Sequence, residues 1–258
     1  ILVYTPKGEM FSAIPKIKGM VDFEGSMIKG IILNKVSFSM YTLLKEKIEE
    51  YIGIKVLGYV ENDESLKIDS RHLGLIQSDE IENIDEIIER VSILVEKKVD
   101  LDKIIELMSD VNVPKYIYPE KRDLKVAIAY DSAFSFYYNE NLRLFENVCD
   151  VVYFSPLKDE KIPECDFLYL GGGYPELHLE ELSGNMSMKN SIKDFADSGK
   201  HIYAEGGGFM YLMEYVEGHE MCAVFKGSST MTDRLQRFGY LNIELNENCL
   251  LGRVGDIL

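Results

Sequence analysis

Short apolar runs alternate with helical patterns along the chain, and this alternation limits its fold more than any other feature. Residues 28–34 and 54–60 are rich in isoleucine and valine, as buried strands are. Between them, residues 38–52 carry their charges on a helical period. Strand, helix and strand in this order form the repeating unit of a parallel sheet. The sequence therefore predicts an α/β fold.

Two further helices precede a change in composition. Asn83 is a favourable N-cap with Glu86 three residues later, and apolar residues recur at helical spacing from Ile84 onwards. A second, shorter helix is predicted after Asp100. Residues 111–123 then combine two prolines with a cluster of charges. Because proline removes a backbone donor and disfavours helix in the residue before it, we predict a linker here.

The linker separates two predicted domains, residues 1–110 and 124–258, and the alternation restarts in the second. The predicted elements there are strands at 125–130, 151–154, 166–170 and 201–204 and helices at 139–147, 187–198 and 208–215. We therefore predict two α/β domains with mainly parallel, doubly wound sheets. In such sheets ligands bind beyond the carboxyl ends of the strands.

Charge and composition exclude several classes of function. The chain has 28 Lys and Arg residues against 44 Asp and Glu, a net charge of −16 that would repel a nucleic-acid backbone or an anionic membrane. No apolar run approaches the ~18 residues of a membrane span, and no basic segment precedes the first apolar run as in a secretory signal. The four cysteines have no CxxC spacing, so they indicate neither a zinc site nor a disulfide framework. We expect them to be reduced thiols. We predict a cytoplasmic protein and, without an initiator Met, a piece of a longer chain.

Two glycine clusters follow predicted strands. Residues 171–173 end one strand, and their backbone N–H groups could form half of an oxyanion hole; a plain tight turn is the alternative. At Gly206–Gly208 a strand turns into a helix, as at a nucleophile elbow. The alternative for this second cluster is a glycine-rich turn or an anion-binding helix start.

Two polar segments also follow strands. Asp131 is followed by aromatic and amide residues up to Asn141, which suits a small-molecule pocket. In the alternative interpretation, Asp131 and Asn139 cap a turn and a helix while the aromatic residues are core. Arg71 and His72 form a basic pair that could bind an anionic ligand or make a local structural contact.

Five segments together resemble one family, the cobyrinate a,c-diamide synthases of cobalamin biosynthesis. They are residues 58–75, 131–142, 168–178, 204–212 and 231–240, of which DSAFSFYYNEN and GGGYPELH are the most specific. The resemblance implies an ATPase domain similar to dethiobiotin synthetase, of which residues 1–110 are a part, and a class I glutaminase domain at 124–258. The first phosphorylates a substrate carboxylate; the second releases ammonia from glutamine, and the ammonia displaces the phosphate.

The resemblance also implies ligands and site residues. The expected ligands are ATP with Mg²⁺, glutamine, and a tetrapyrrole dicarboxylate such as cobyrinate, amidated at its a and c side chains; no Mg²⁺ ligand is assigned, and a homodimer is left open. Gly172, Gly173 and Gly207 are expected to supply oxyanion donors, and Glu176 to help hold glutamine. The nucleotide or substrate residues are Asn34, which the resemblance places at the adenine base, Arg71, His72, Asp131 and Asn139.

This chain departs from the family pattern at three points. Gly206 stands where the family has its nucleophilic cysteine. No GxxxxGK[ST] phosphate-binding loop is present, and the resemblance places it upstream of residue 1. The family's catalytic histidine belongs beyond Leu258. We therefore expect no turnover by this chain alone, and two alternatives stay open: a non-catalytic binding or scaffold domain, and a ligase that uses free ammonia.

Overall fold

The structure is a computed structural model of the 258-residue chain. It divides into two compact units, Ile1–Lys115 and Tyr116–Leu258, each with its own parallel sheet, so the predicted α/β class is confirmed. Among the described helices, none has both the length and the apolarity to cross a bilayer. The residues that the structure describes are 1–68, 70–71, 74–76, 80–232, 236 and 239–257.

The first unit is built on a three-stranded parallel sheet whose strands lie in chain order. Its elements are β1 (Leu2–Tyr4), α1 (Ala13–Asp22), β2 (Gly30–Asn34), α2 (Phe38–Ile52), β3 (Lys55–Val60), β4 (Ser70–Arg71), β5 (Gly74–Leu75), α3 (Ile84–Lys98) and α4 (Leu101–Leu107). A short 3₁₀ helix lies at Glu64–Leu66, and β4 and β5 pair antiparallel. The core joins α1 and α2 to the sheet through fully buried Ile17, Ile31, Leu33, Leu44 and Ile48.

Helix α2 has the bounds that the sequence predicts, 38–52, because both ends carry strong signals. The Ser37 hydroxyl accepts a hydrogen bond from Met40 N, and Gly53 ends the helix at φ 77°. The predicted start of α3 is confirmed, with Asn83 at the N-cap position, but the Asn83 side chain makes no capping hydrogen bond.

The second unit is built on a four-stranded parallel sheet. Its elements are β6 (Lys125–Ala129), α5 (Asn139–Val148), β7 (Asp150–Phe154), β8 (Phe167–Leu170), α6 (Leu179–Gly184), α7 (Met186–Asp197), β9 (His201–Ala204), α8 (Gly207–Tyr211), β10 (Tyr215–Val216), β11 (His219–Glu220) and β12 (Ser228–Ser229). The strand order is β7–β6–β8–β9, so the connections from β6 and β8 leave in opposite directions. Such a switch point opens a crevice at the carboxyl ends of the two strands.

Both faces of this sheet are covered by apolar residues. Leu168 and Leu170 belong to one buried cluster and Tyr169 to another, because successive side chains of a strand point to opposite faces. The helix predicted at 208–215 is too long, since α8 ends at Tyr211. At the end of α8, the carbonyl oxygen of Tyr211 accepts a hydrogen bond from Cys222 N at 3.0 Å, from the segment after β11.

A glycine in β3 permits the close approach that completes the first unit. A Cβ at Gly58 would overlap Lys98 O and lie 2.6 Å from Val99 Cα. We expect Gly58→Ala to lower the free energy of unfolding by about 1–3 kcal/mol through overpacking. The control is Gly19→Ala in α1, where no atom lies within 4 Å and the gain in helix propensity is expected to be about 0.5–1 kcal/mol. Chemical denaturation measures the change in the free energy of unfolding for each variant. Equal changes in Gly58→Ala and Gly19→Ala would contradict the close approach.

Candidate functional site

Two glycine loops meet at the carboxyl ends of neighbouring strands. The loop Gly171–Gly173 follows β8, and the turn from β9 into α8 passes through Gly206. Because β8 and β9 pair in parallel, their ends lie side by side. Gly208 N donates to Gly171 O at 2.9 Å, and Glu205 N donates to Leu170 O at 3.1 Å. Backbone hydrogen bonds therefore hold the two loops together.

Several of these glycines lie too close for side chains. A Cβ at Gly207 would lie 2.7 Å from Pro175 Cδ and 3.2 Å from Gly173 N. A Cβ at Gly206 would meet only Gly172 Cα, at 3.5 Å, which is ordinary van der Waals contact. The structure thus brings together the four glycines that the sequence analysis selected, and of these position 206 has the most room for a Cβ.

Gly206 has the backbone geometry of an elbow. Its φ of 52° and ψ of −116° lie outside the regions that residues with a Cβ readily adopt. Gly206 itself is exposed, and the buried Gly207 begins α8 directly after it. A strained turn between a strand and a helix is the arrangement that presents a nucleophile above a sheet. Here the turn is present and carries no side chain.

Two backbone donors, Gly173 N and Gly207 N, lie beside this turn. Among the described residues, no backbone oxygen accepts a hydrogen bond from Gly173 N or Gly207 N. The two glycines are neighbours, since a Cβ at Gly207 would also lie 3.1 Å from Gly173 O. Preorganised N–H groups without internal partners can stabilise an oxygen that gains negative charge. The arrangement is therefore a candidate for an oxyanion hole next to position 206.

The predicted glutamine-binding residue Glu176 lies beside this turn. It occupies the short 3₁₀ helix Pro175–Leu177 that follows the first glycine loop, and it is half-buried. Pro175, the first residue of this helix, is the residue that would contact a Cβ at Gly207. The 3₁₀ helix thus borders the elbow, and Glu176 is the middle residue of this helix.

Asp131 has a structural role instead of an open carboxylate. Its Oδ1 accepts from Ala133 N at 2.9 Å and Phe134 N at 3.1 Å, while its Oδ2 accepts from Ser155 Oγ at 2.8 Å and Leu157 N at 3.1 Å. These bonds favour the turn-capping interpretation of this residue. Asn139 does not cap its helix: it is the exposed first residue of α5, after Tyr138 at the N-cap.

A layer of tyrosines beneath the loops is the feature that the sequence analysis missed. The Tyr137 hydroxyl accepts from Gly171 N at 2.8 Å and donates to Ala129 O, and the Tyr169 hydroxyl donates to the Glu205 carboxylate. The rings of Tyr137 and Tyr169 pack edge to face at 5.1 Å. Burial raises the pKa of both tyrosines, so both stay protonated at neutral pH. The sequence signal that could have found this layer is Tyr169 in the predicted strand at 166–170 and Tyr137 among the aromatic residues after Asp131.

The residues predicted to bind nucleotide lie in the first unit. Asn34 ends β2 and lines a cavity of about 270 Å³ beyond the carboxyl ends of β2 and β3. Its amide donates to Thr5 Oγ1 at 3.1 Å, and Lys35 after it has a φ of 57°. Arg71 ends β4. His72 lies outside the described residues, as do 233–235 and 237–238 of the last resembling segment.

No metal centre emerges in the part of the chain that the structure describes. There, no group of three or more His, Cys, Asp or Glu side chains has an arrangement that could hold a metal ion. The described residues therefore offer no basis for assigning a ligand to Mg²⁺.

Comparison with known proteins relates both units to one group of sequences. Residues 125–252 match the family model of the CobB/CobQ-like glutamine amidotransferase domain. The chain is 46% identical over 260 residues to the cobyrinate a,c-diamide synthase of Clostridium tetani and 47% identical over 257 residues to that of Clostridium acetobutylicum. It is 40% identical over 265 residues to that of Methanocaldococcus jannaschii. These alignments cover 97%, 97% and 99% of the chain, and the chain spans 59% of the length of each relative.

The elbow geometry predicts that a Cβ at position 206 is tolerated at a cost. Gly206→Ala meets no clash, but holding an alanine at this φ is expected to lower the free energy of unfolding by about 1–3 kcal/mol. Gly184→Ala at the end of α6 is the control, because nothing lies within 4 Å and its φ is ordinary. Denaturant unfolding measures both; a neutral Gly206→Ala would mean that the turn is not strained.

The buried tyrosines predict a loss of stability at alkaline pH. A tyrosine whose pKa is raised in the folded state contributes fully to the free energy of unfolding below about pH 10. Above pH 10 this contribution falls, because the tyrosine ionises in the unfolded chain but stays protonated in the folded one. Tyr137→Phe is expected to reduce this fall by up to about 1.4 kcal/mol per pH unit. The exposed Tyr240→Phe serves as the control. Unfolding curves from pH 8 to 11 test this; identical slopes in both variants would contradict it.

Proposed function

Because the chain belongs to the cobyrinate a,c-diamide synthase family, we propose that it is part of a ligase that amidates the a and c carboxylates of cobyrinate or a related tetrapyrrole. Residues 124–258 are assigned to the glutaminase domain, residues 1–110 to part of the ATPase domain, and 111–123 to the linker. The observation that carries the glutaminase assignment is the convergence of the two glycine loops at the Gly206 elbow. Family membership supports the rest.

The glutamine site is assigned to the space in front of Gly206. A glutamine amide whose oxygen accepts from Gly173 N and Gly207 N would present its carbonyl carbon to position 206. In a family member with cysteine there, the thiolate attacks this carbon, the oxygen gains negative charge between the two N–H groups, and ammonia leaves from the tetrahedral intermediate. Water then cleaves the thioester. Glu176 is assigned to hold the amino-acid end of glutamine.

The ATP site is assigned to the first unit. A carboxylate is a poor acyl donor, so ATP phosphorylates it and ammonia displaces the phosphate. Asn34 is assigned to the adenine base, supported by its place in the cavity at the carboxyl ends of β2 and β3. Arg71 and His72 stay candidates for an anionic substrate. Mg²⁺, when bound with ATP, would neutralise phosphate charge.

Glycine at position 206 favours a second candidate, a ligase that takes free ammonia. Gly206 has no group that can accept an acyl chain. Cys222, the nearest thiol in sequence after the elbow, is 2% exposed, and burial raises its pKa to about 12. A protonated thiol inside the core cannot attack glutamine at neutral pH. The same elbow is consistent with a third candidate, a glutaminase-like domain kept for binding.

The nucleophile can be restored by one substitution. In the full-length protein, we expect the Gly206 form to amidate cobyrinate with ATP and ammonium but not with glutamine. Gly206→Cys is expected to gain glutamate release, because the site has room for a Cβ and the start of α8 favours a thiolate. Gly184→Cys is the control, since it adds a thiol far along the chain from the elbow. Glutamate release and amide formation are the measurements.

Each outcome selects one candidate. Equal glutamate release by the Gly206 form and Gly206→Cys would place the nucleophile elsewhere and contradict the alignment of the elbow. Amidation with ammonium alone by the Gly206 form selects the ammonia-dependent ligase. Folded proteins that form no amide with either nitrogen source select the binding domain.

A further inference from the structure

Lys35 has a backbone conformation that glycine ordinarily supplies. Its φ is 57°, in the left-handed region, where a Cβ crowds the following carbonyl oxygen. Lys35 follows β2 directly, and Val36 N then donates to Val60 O at 3.1 Å, so a bond to the end of β3 holds this turn. Strained backbone of this kind is concentrated at binding and active sites, where the side chain that it presents has a use.

The Lys35 side chain has no internal contact that offsets this strain. Glu217, which also has a positive φ, accepts a hydrogen bond from Met231 N through its carboxylate. The Lys35 ammonium, in contrast, forms no ion pair or hydrogen bond with any residue that the structure describes. Lys35 is exposed, so a ligand can reach it. The partner of this ammonium is therefore to be sought outside the described chain.

Lys35 lines the same cavity of about 270 Å³ as Asn34, beyond the carboxyl ends of β2 and β3. Val60, Leu66 and Val91 supply apolar walls. The volume lies just below the range of about 300–1,000 Å³ in which pockets for drug-sized ligands fall. The cavity therefore suits a planar base better than a whole nucleotide.

The charges around this cavity also favour a base over a phosphate. Its lining includes three carboxylates, Glu61, Asp63 and Glu64, against two ammonium groups, Lys35 and Lys67. Carboxylates repel a phosphate but accept hydrogen bonds from an amino group, which adenine carries. A ring nitrogen of a base is an acceptor, and an ammonium group can only donate. Lys35 thus offers what the acidic side chains of the cavity lack.

We propose that Lys35 is a nucleotide-binding residue whose ammonium donates a hydrogen bond to a ring nitrogen of the base held in this cavity. The inference rests on the proposed ATP site and adds a second base-binding residue directly after Asn34. The left-handed backbone of Lys35 is the stability that the free protein gives up to place a cation at the wall of this cavity.

The test compares the affinity for ATP with the melting temperature in the full-length protein. Lys35→Gly is expected to raise the melting temperature by about 1–4 °C, because glycine relieves the strain at this φ. The same variant is expected to weaken ATP binding about 10-fold, as for one lost hydrogen bond from a charged donor. Lys35→Asn, which also tolerates a left-handed backbone, is expected to weaken it by the same factor. Lys35→Arg keeps the cation and is expected to bind ATP more tightly than either.

Two controls separate the base contact from other effects. Inorganic tripolyphosphate has no base, so Lys35→Gly is expected to bind it as tightly as the unaltered protein does. An equal loss of affinity for ATP and tripolyphosphate would place the ammonium at the phosphates and overturn the inference. Ala223→Gly relieves a φ of 49° in the second unit, and it is expected to leave the affinity for ATP unchanged.

Asn34→Ala distinguishes failure of this inference from failure of the proposed ATP site. If Asn34→Ala weakens ATP binding and Lys35→Gly does not, this inference alone is wrong. If neither variant weakens ATP binding, the proposed ATP site is wrong as well. A lower melting temperature of Lys35→Gly would also contradict the inference, because the lysine side chain would then stabilise the free protein.

Discussion

The candidate site depends on the approach of two backbones to within hydrogen-bonding distance. The bond from Gly208 N to Gly171 O spans only 2.9 Å, and a Cβ at Gly208 would overlap Leu170 O. Such an approach is open to glycine because glycine has no Cβ. Parallel pairing of β8 and β9 places both loops at one edge of the sheet, and the absence of side chains lets them close on each other.

This approach places backbone donors beside a position that has no reactive side chain. The N–H groups that can stabilise an oxyanion belong to the backbone, so they persist whatever residue stands at position 206. A nucleophile would have to be a side chain, and Gly206 supplies none; its φ of 52° suits glycine better than cysteine. The tyrosine layer holds the turn from below, through Tyr137 on Gly171 and Tyr169 on Glu205.

Local signals explain which elements were predictable. Helix α2 and strand β9 have their predicted bounds because caps and apolar runs mark them in the sequence. Helix α1 was not predicted, although Ile14, Ile17 and Val21 recur at helical spacing and Pro15 lies in the first turn, where proline is tolerated. Helix α8 is shorter than predicted, and the carbonyl of its last residue, Tyr211, accepts from Cys222 N of a later segment.

The sequence by itself determined the α/β class and the family, and it predicted the four glycines as site residues. Tertiary structure decided what the polar residues do. Asp131 looks like a ligand at the end of a strand, but four donors that include the distant Ser155 and Leu157 occupy its oxygens. Local patterns record backbone preference and burial, whereas hydrogen-bond partners far along the chain depend on how the strands are ordered in the sheet.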